Sequence, residues 1–398
     1  MEKPGLFLLS PMLHQGGFER VCVTTARVLE KDFDITIVIF DDKDIAYDIE
    51  GLKIINLNLP VRQGKVGKLL NIFKRRKALK KLKKEYKPLL CYSFGPTANI
   101  VNAFSRTKDT GVWLGFRSYG DLFSKRLLKV FNSRADRIIC CAKEIEYDFK
   151  KMFPGNRAVT LYNLFNTELI EESAKEEVNG FTEGKKVFIS MGRDDEVKGF
   201  WHMIKAFSLV HEKYPETELK ILGDGTFEEC RELAGKLLHD ESVFFEGMCT
   251  NPYKYLSRSD IYLLTSSVEG FPNALVEGMI LSLAPIATNC PSGPSEILIR
   301  GDRSTVSIVN AKLDSLKSEG KKPILSDECG IMIPVLDGKA DYSETITDED
   351  RLLAEAMEYL LENPEILKDY QTKARQRALE FGYDAYVDNF KKIYEGIK

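Results

Sequence analysis

The stretch DIYLLTSSVEGFPNALVEGM (260–279) decides the fold of its half of the chain. Residues 260–266 form an apolar run with the length of one buried β-strand, and EGFPN (269–273) has the Gly and Pro of a loop. The residues that follow have helical spacing, and two carboxylates, Glu269 and Glu277, lie around the start of that helix. Strand, loop and helix in this order predict a parallel sheet, which binds ligands beyond the carboxyl ends of its strands.

The same alternation of apolar strands and helical segments runs through the whole chain. Strands alternating with helices form right-handed βαβ units and parallel sheets. We therefore predict an α/β fold with two Rossmann-like, doubly wound parallel-sheet domains. The predicted strands lie at 6–10, 34–40, 89–94, 112–116, 137–142 and 159–163, and then at 186–192, 218–225, 243–247, 260–266, 284–289 and 330–335.

Polar segments mark the predicted domain boundaries. The acidic segment 166–186 is the predicted linker between an N-terminal domain at 1–170 and a C-terminal domain at 183–382. The long charged segment 300–328 is interpreted as an insertion into the second domain. Amphipathic helices are predicted at 349–362, 364–381 and 383–397.

Composition and charge restrict the possible function classes. Apolar residues make up 43% of the chain, yet no apolar run reaches the roughly 18 residues of a transmembrane helix, and the start lacks the apolar core of a signal peptide. The eight cysteines are scattered without zinc-type spacing and indicate buried thiols of a cytosolic protein. Residues 1–166 hold 30 Lys+Arg and 17 Asp+Glu, whereas residues 167–398 hold 27 and 43. The basic first half therefore indicates an anionic partner surface.

The segment 65–87 is strongly basic, with eleven Lys or Arg residues and one Glu. We interpret its apolar stripe as core that packs on the sheet, and its basic face as a surface that faces an anionic membrane. A lysine face that is merely solvated is the alternative. Nucleic acid is disfavoured as a partner because stacking aromatics do not interleave with these charges. The apolar stripe consists of Leu69, Ile72, Phe73, Leu79, Leu82 and Tyr86.

Two loops at predicted strand ends carry residues that suit an anionic ligand. Gly16 and Gly17 precede a helix, where backbone N–H groups attract anions. A tight turn without a ligand explains the two glycines equally well. Arg193 and Lys198 flank the second loop, where they could clamp a diphosphate or simply be solvated cations.

The third loop precedes a helix that is predicted at about 274–283, with Asn273 as its N-cap. Glu277 falls on the first turn of this helix, on the side of apolar residues. It could accept hydrogen bonds from ribose hydroxyls, or it could simply be favoured there by the helix dipole. All three loops lie at the carboxyl ends of strands, which favours the ligand-binding interpretation of each.

The order of these motifs resembles the family-4 retaining glycosyltransferases of GT-B fold, whose signature is the E-x7-E element. The resemblance covers nearly the whole chain and is strongest through 187–297. It implies two Rossmann-like domains that face a central cleft, with a C-terminal helix at 383–398 crossing back to the N-terminal domain. The motifs are GGFER (16–20), GRDDEVKG (192–199), GDG (223–225), EGFPNALVE (269–277) and ATNCPSGPSEI (287–297).

The resemblance implies a role for each matching residue. Arg193 and Lys198 would neutralise the departing diphosphate, and Glu269 would contact hydroxyls of the donor sugar; these three are the predicted catalytic residues. Glu277 would bind the ribose. The other implied donor contacts are Gly16, Gly17, Met248, Gly270, Phe271, Pro272, Asn273 and Ala274.

On the acceptor side the chain departs from the family pattern. Many relatives carry a His after the fourth strand, where this chain has WLGFRSYGD (113–121), so that Arg117 takes its place. A structural ion pair is the alternative role for Arg117. His14, in the first loop, is another implied sugar contact. The resemblance implies a UDP-sugar co-substrate, no metal and no other cofactor. It also implies that the acceptor attacks the donor sugar on the face from which the leaving diphosphate departs.

The resemblance thus implies a retaining hexosyl- or N-acetylhexosaminyltransferase of cell-surface polysaccharide synthesis. We expect a cytoplasmic protein that is peripheral on the inner face of the cell membrane and uses a saccharide or polyprenyl-linked acceptor. One alternative is a glycoside hydrolase with Glu269 and Glu277 as its carboxylate pair; another is a non-catalytic GT-B membrane adaptor. A dinucleotide dehydrogenase is disfavoured because the first loop lacks GxGxxG followed by a ribose-binding acid.

Overall fold

A computed structural model describes residues 3–14, 16–155, 157–301, 305–327, 329–336 and 338–396, without the side chains of 326 and 327. The chain divides into two compact units. Unit 1 runs to Phe165 and includes the segment from Tyr383 onward, and unit 2 is Asn166–Gly382.

Short strands alternate with helices along both units. The strands are β1 (Gly5–Ser10), β2 (Asp34–Ile39), β3 (Ile54–Asn56), β4 (Leu90–Phe94), β5 (Gly111–Phe116), β6 (Arg137–Cys140), β7 (Ala158–Thr160), β8 (Lys186–Met191), β9 (Thr217–Leu222), β10 (Val243–Gly247), β11 (Ile261–Leu264), β12 (Ala284–Thr288), β13 (Leu325–Asp327) and β14 (Gly330–Ile333).

The helices connect these strands. They are α1 (Gly17–Leu29), α2 (Lys65–Tyr86), α3 (Pro96–Phe104), α4 (Lys125–Arg134), α5 (Lys143–Met152), α6 (Thr167–Ser173), α7 (Phe200–Lys213), α8 (Glu228–Leu237), α9 (Tyr253–Leu256), α10 (Asn273–Ile280), α11 (Pro294–Leu298), α12 (Val306–Ser318), α13 (Asp348–Glu362), α14 (Pro364–Ala378) and α15 (Tyr383–Glu395), with 3-10 turns at Tyr119–Leu122, Glu196–Lys198 and Leu379–Phe381.

Each unit is built on one seven-stranded sheet. The order is β3-β2-β1-β4-β5-β6-β7 in unit 1 and β10-β9-β8-β11-β12-β14-β13 in unit 2. Every strand pairing is parallel except that of β13 with β14, which is antiparallel. Loops that follow the strands of one unit therefore meet at one edge of its sheet. The predicted α/β fold with two doubly wound sheets is confirmed.

Buried apolar side chains cover both faces of each sheet. In unit 1 the last helix, α15, completes one face: the ring of Phe390 lies 5.1 Å from that of Trp113 and 5.6 Å from that of Phe33. Tyr386 of the same helix shares a hydrogen bond of 2.9 Å with Thr25 of α1. All eight cysteines are free thiols, and all but Cys249 are buried.

Two strands and two helices lie where the sequence predicted none. β3 and β13 are three residues long, too short for a detectable apolar pattern. α6 occupies the start of the predicted linker 166–186, where Asn166 caps it by accepting the N–H of Leu169. α12 lies inside the predicted insertion 300–328, capped by Thr305.

The prediction that the apolar stripe of α2 is core was wrong for half of its residues. Leu69, Phe73 and Tyr86 are each more than half exposed, whereas Leu79 is fully buried. The remaining two residues of the stripe, Ile72 and Leu82, are half-buried.

Polar side chains hold α2 to unit 1 in place of much of that stripe. Asn71 and Arg75 are buried and donate hydrogen bonds to the backbone carbonyls of 59–60. Further along, the buried Lys83 Nζ donates to Asn102 Oδ1 at 2.7 Å. Because these long polar side chains face inward, the apolar residues on the opposite side of the helix face outward.

Candidate active site

A cation and a carboxylate meet at the carboxyl edge of the unit 2 sheet. Lys198 Nζ donates to Glu269 Oε1 at 2.6 Å, and Ser266 Oγ donates to the same oxygen at 2.7 Å. The Lys198 side chain is 25% exposed and that of Glu269 is 13% exposed. The structure therefore brings together two of the three predicted catalytic residues, from the loops after β8 and β11.

The backbone of the loop after β8 fixes the position of Lys198. Asp195 caps a short 3-10 turn by accepting the N–H of Val197, and Gly199 ends the turn with a φ of 63°. A Cβ on Gly199 would lie 2.7 Å from the carbonyl oxygen of Thr265, so that β11 can approach only a glycine. The hydroxyl of Thr265 donates to the Lys198 carbonyl at 2.7 Å.

Arg193 lies on the same loop, and its side chain is exposed. The next residue, Asp194, is held by two hydrogen bonds. Its N–H donates to the Asp224 carbonyl at 2.8 Å, and its Oδ2 accepts the N–H of Phe227 at 2.7 Å. Within the described ranges the Arg193 guanidinium makes no hydrogen bond or ion pair. It is thus a cation on a fixed backbone whose charge is open to an anionic ligand.

The helix after the third loop begins one residue earlier than predicted. Asn273 is the first residue of α10, and Pro272 occupies the N-cap position without a side-chain hydrogen bond, so the predicted Asn273 cap is wrong. Proline is tolerated at the start of a helix because a residue there needs no N–H for an intrahelical hydrogen bond. The helix also ends at Ile280, sooner than the predicted Leu283.

Glu277 lies inside α10 and is buried, with only 3% of its surface exposed. Tyr253 OH, on α9, lies 3.5 Å from Glu277 Oε1. A buried carboxylate needs hydrogen-bond donors. Glu277 is therefore a fixed acceptor on the helix that follows the Glu269 loop.

The other residues predicted on the third loop differ in what they can offer a ligand. The ring of Phe271 is buried and packs edge-on against Phe381, with 5.2 Å between the ring centroids, so only its backbone can contact a ligand. The carbonyl of Gly270 already accepts the Ser292 hydroxyl at 2.8 Å. Pro272 is buried, Asn273 and Ala274 are half-buried, and Met248, after β10, is exposed.

In unit 1, the two predicted glycines lie at the start of α1, and the backbone of Gly16 is hydrogen-bonded to Tyr47. Gly16 N–H donates to Tyr47 OH at 2.8 Å, and the same hydroxyl donates to the Gly16 carbonyl at 2.6 Å. A Cβ on Gly16 would lie 2.3 Å from Glu19 Oε2, so the carboxylate of Glu19 would have to shift to admit a larger residue there. Gly17 is exposed and begins the helix.

Arg117 is tied into the core of unit 1. Its Nη1 donates to Asn163 Oδ1 at 2.9 Å, its Nη2 donates to Tyr92 OH, and its guanidinium lies 4.8 Å from the ring centroid of Phe94. Burial raises the pKa of the Tyr92 phenol well above its usual value, so Tyr92 is neutral and accepts this bond. His14 is half-buried and makes no hydrogen bond with the described residues.

Sequence comparison identifies relatives of the chain. Residues 171–318 match the family described as glycosyl transferases group 1. An uncharacterised glycosyltransferase of Methanocaldococcus jannaschii is 29% identical, over 82% of this chain and 84% of that protein. An N-acetylgalactosamine-N,N'-diacetylbacillosaminyl-diphospho-undecaprenol 4-alpha-N-acetylgalactosaminyltransferase of Campylobacter jejuni is 26% identical, over 91% of this chain and 100% of that protein.

Solved structures that superpose on this chain have the GT-B fold. Anabaena HepE, solved with UDP and glucose, superposes with a TM-score of 0.72 at 16% identity, over 98% of this chain and 99% of that one. Sucrose-phosphate synthase of Thermosynechococcus elongatus superposes with a TM-score of 0.73 at 14% identity, over 99% of both chains. This chain is a glycosyltransferase with the GT-B fold.

The site of this glycosyltransferase contains residues that sequence reasoning did not name. Ser266 and Thr265 hold Glu269 and Lys198 from the end of β11, and Tyr253 approaches Glu277 from α9. The only available signal was the pair of hydroxyls that ends the apolar run 260–266. Nothing in the sequence distinguishes Tyr253 from a surface tyrosine.

The described part of this glycosyltransferase lacks two other features, a metal-binding cluster and a membrane-spanning helix. No group of three or more His, Cys, Asp or Glu side chains there is arranged to hold a metal ion. None of the helices there combines the length and apolar character needed to cross a membrane. Independence from metal remains a prediction.

Proposed function

We propose that this enzyme is a family-4 retaining glycosyltransferase that moves a hexosyl or N-acetylhexosaminyl unit from a UDP-sugar to a saccharide carried on a polyprenyl diphosphate. One observation carries the proposal: Lys198, Glu269 and the buried Glu277 occupy the same edge of one parallel sheet. The Campylobacter relative is named for transfer to a diphospho-undecaprenol-linked saccharide, and HepE was solved with UDP-glucose, which supports both substrates.

In the proposed reaction the bond between the anomeric carbon and the β-phosphate oxygen breaks, and negative charge accumulates on the departing UDP. Lys198 stabilises this charge because its side chain is held in place before the reaction begins, and Arg193 supplies a second cation from a fixed backbone. The acceptor hydroxyl attacks the anomeric carbon from the face that UDP leaves, and its proton passes to the departing phosphate. No side chain is required as general base, and Glu269 orients hydroxyls of the donor sugar.

The donor class is tested with a panel of UDP-sugars and GDP-sugars. We expect slow hydrolysis of one or more UDP-sugars and no hydrolysis of GDP-sugars, with calorimetric binding of UDP. NMR of the product should show the anomeric configuration of the donor retained. Activity in excess EDTA would support the predicted independence from metal. Binding of GDP in place of UDP, or an inverted product, would refute the corresponding part of the proposal.

Replacing Glu277 with glutamine is expected to weaken UDP binding by roughly 10- to 100-fold, because charged hydrogen bonds to the ribose hydroxyls are lost. Isothermal titration of UDP measures the effect. Glu218→Gln is the matched control, since Glu218 is also buried but lies near the amino end of β9. Equal UDP affinity in the Glu277 variant and the wild type would remove the ribose contact from the proposal.

We further propose that the enzyme works at the cytoplasmic face of the cell membrane, where a polyprenyl-linked acceptor is held, in the synthesis of a cell-surface glycan. The basic face of α2, within 65–87, is proposed to contact anionic lipid headgroups. Donor contacts by Gly16, Gly17 and Met248, and sugar contacts by His14 and Arg117, remain predictions. The guanidinium of Arg117 already donates hydrogen bonds to Asn163 and Tyr92, so a sugar would have to compete with these two partners.

A further inference from the structure

Helix α2 has an apolar outer face at its start that the described residues leave exposed. Val66, Leu69, Leu70 and Phe73 recur at the i, i+3, i+4, i+7 spacing of one helix face. Each is at least half exposed, as is Val61 in the preceding loop. The buried residues of the helix, Asn71, Arg75, Leu79 and Lys83, lie on its opposite side. We call the five exposed residues Val61, Val66, Leu69, Leu70 and Phe73 the apolar tip.

The chain segment that carries the apolar tip has a positive net charge. The sequence contains no acidic residue between Glu50 and Glu85. Lys65 and Lys68 lie within the first turns of the helix, and the outer face continues into Lys77, Lys80 and Lys84. Only two of the eleven cations in 65–87, Arg75 and Lys83, are buried. The surface therefore changes along one helix from apolar to cationic.

We propose that the apolar tip inserts into an anionic phospholipid bilayer while the following lysines lie at the headgroups. This goes beyond the electrostatic contact of the proposed function, on whose membrane location it rests. An amphipathic surface with lysines beside exposed Leu and Phe is what binds at the boundary of headgroups and acyl chains. A second copy of the chain is disfavoured as the partner of the apolar tip. Its lysines would lie close to the identical lysines of the first copy and repel them.

A second exposed aromatic lies on the same edge of the unit 1 sheet. α2 begins after β3 and returns to the start of β4, so its tip is at the carboxyl edge of the parallel sheet. Phe123 follows β5, at that same edge, and is 70% exposed beside the exposed Lys125 and Arg126. The loop of Gly16 and Gly17 after β1 ends there too. Insertion would therefore bring this edge of unit 1 to the lipid surface.

The first test measures vesicle binding by the full chain. Co-sedimentation with phosphatidylcholine vesicles that contain the anionic lipid phosphatidylglycerol gives a partition coefficient. Leu69→Ser combined with Phe73→Ser is expected to lower it by at least about 10-fold. Leu169→Ser combined with Leu379→Ser is the matched control, because both leucines are exposed but lie in unit 2.

Charge variants separate insertion from simple attraction. Replacing Lys77, Lys80 and Lys84 with glutamine should lower the partition coefficient about 5-fold per lysine at low salt. The loss caused by the Leu69 and Phe73 variant should persist at high salt, where screening weakens the lysines. If that loss disappears at high salt or never occurs, the apolar tip does not insert and the proposal is overturned.

A fluorescent reporter tests depth directly. Phe73→Trp places an indole at the tip, and both natural tryptophans, Trp113 and Trp201, are buried. We expect a blue shift of its emission on vesicle addition and quenching by lipids brominated on the acyl chains. Unchanged emission would overturn the proposal. So would a wild-type dimer in sedimentation without lipid that Leu69→Ser and Phe73→Ser dissociate, since a second copy would then cover the tip.

The readouts distinguish this proposal from the proposed function. Hydrolysis of the UDP-sugar in solution should be unchanged in the Leu69 and Phe73 variant, because these residues belong to unit 1 whereas Lys198 and Glu269 belong to unit 2. If vesicle binding follows the expectation but no UDP-sugar is hydrolysed, only the proposed function fails. If hydrolysis occurs but vesicles are not bound, only the insertion fails.

Discussion

Replacing Lys198 with alanine is expected to slow sugar transfer by about 100- to 1,000-fold, the usual cost of losing one preorganised group that stabilises developing charge. Lys198 is held 2.6 Å from Glu269 and fixed through its carbonyl by Thr265, so it is positioned before the substrate binds. Single-turnover transfer from a UDP-sugar measures the effect, because product release then does not mask the chemical step.

The controls for this variant separate charge from structure. Lys186→Ala removes another surface cation of unit 2, paired with Asp260 at 2.8 Å but at the start of β8, and should leave transfer nearly unchanged. Lys198→Ala combined with Glu269→Gln removes the carboxylate that the first change leaves without its cation. If the double variant regains transfer, Lys198 serves only to neutralise Glu269, and its proposed role at the diphosphate is wrong.

The parts of the site that the sequence could predict are those on a strand–loop–helix unit. Lys198 and Glu269 lie 71 positions apart, yet both follow strands of a parallel sheet, and in such a sheet strand ends share an edge. What the pattern could not show was that the two side chains bond to each other. That contact depends on the order of strands, in which β8 lies beside β11 although β9 and β10 come between them in sequence.

Helix α2 shows where periodicity fails. Apolar residues at helical spacing predicted the helix correctly but assigned three exposed residues to the core, because spacing alone does not say which side of a helix packs. The buried face depends on Arg75, which lies over the ring of Phe40 at 4.3 Å and donates to a loop carbonyl. A long polar side chain can be buried where a backbone carbonyl accepts its hydrogen bond, and no local sequence pattern identifies that acceptor.

The second large effect is expected at Gly223, in the GDG segment after β9. Its φ is 150°, and a Cβ there would lie 1.7 Å from the carbonyl oxygen of Gly192. The loop that carries Arg193 would have to move, so Gly223→Ala should lower the free energy of unfolding by about 3 to 5 kcal/mol, from strain and steric overlap together. Denaturant unfolding measures this loss.

Gly235→Ala is the matched control for Gly223→Ala. Gly235 is an exposed helical glycine of α8 with no atom within 4 Å of its would-be Cβ, so alanine there should stabilise the protein by up to about 1 kcal/mol. Because Gly223 shapes the Arg193 loop, its variant should also bind UDP more weakly than its stability loss alone explains, measured where most molecules remain folded. Wild-type stability in Gly223→Ala would mean that the two loops are not in the close contact on which the placement of Arg193 depends.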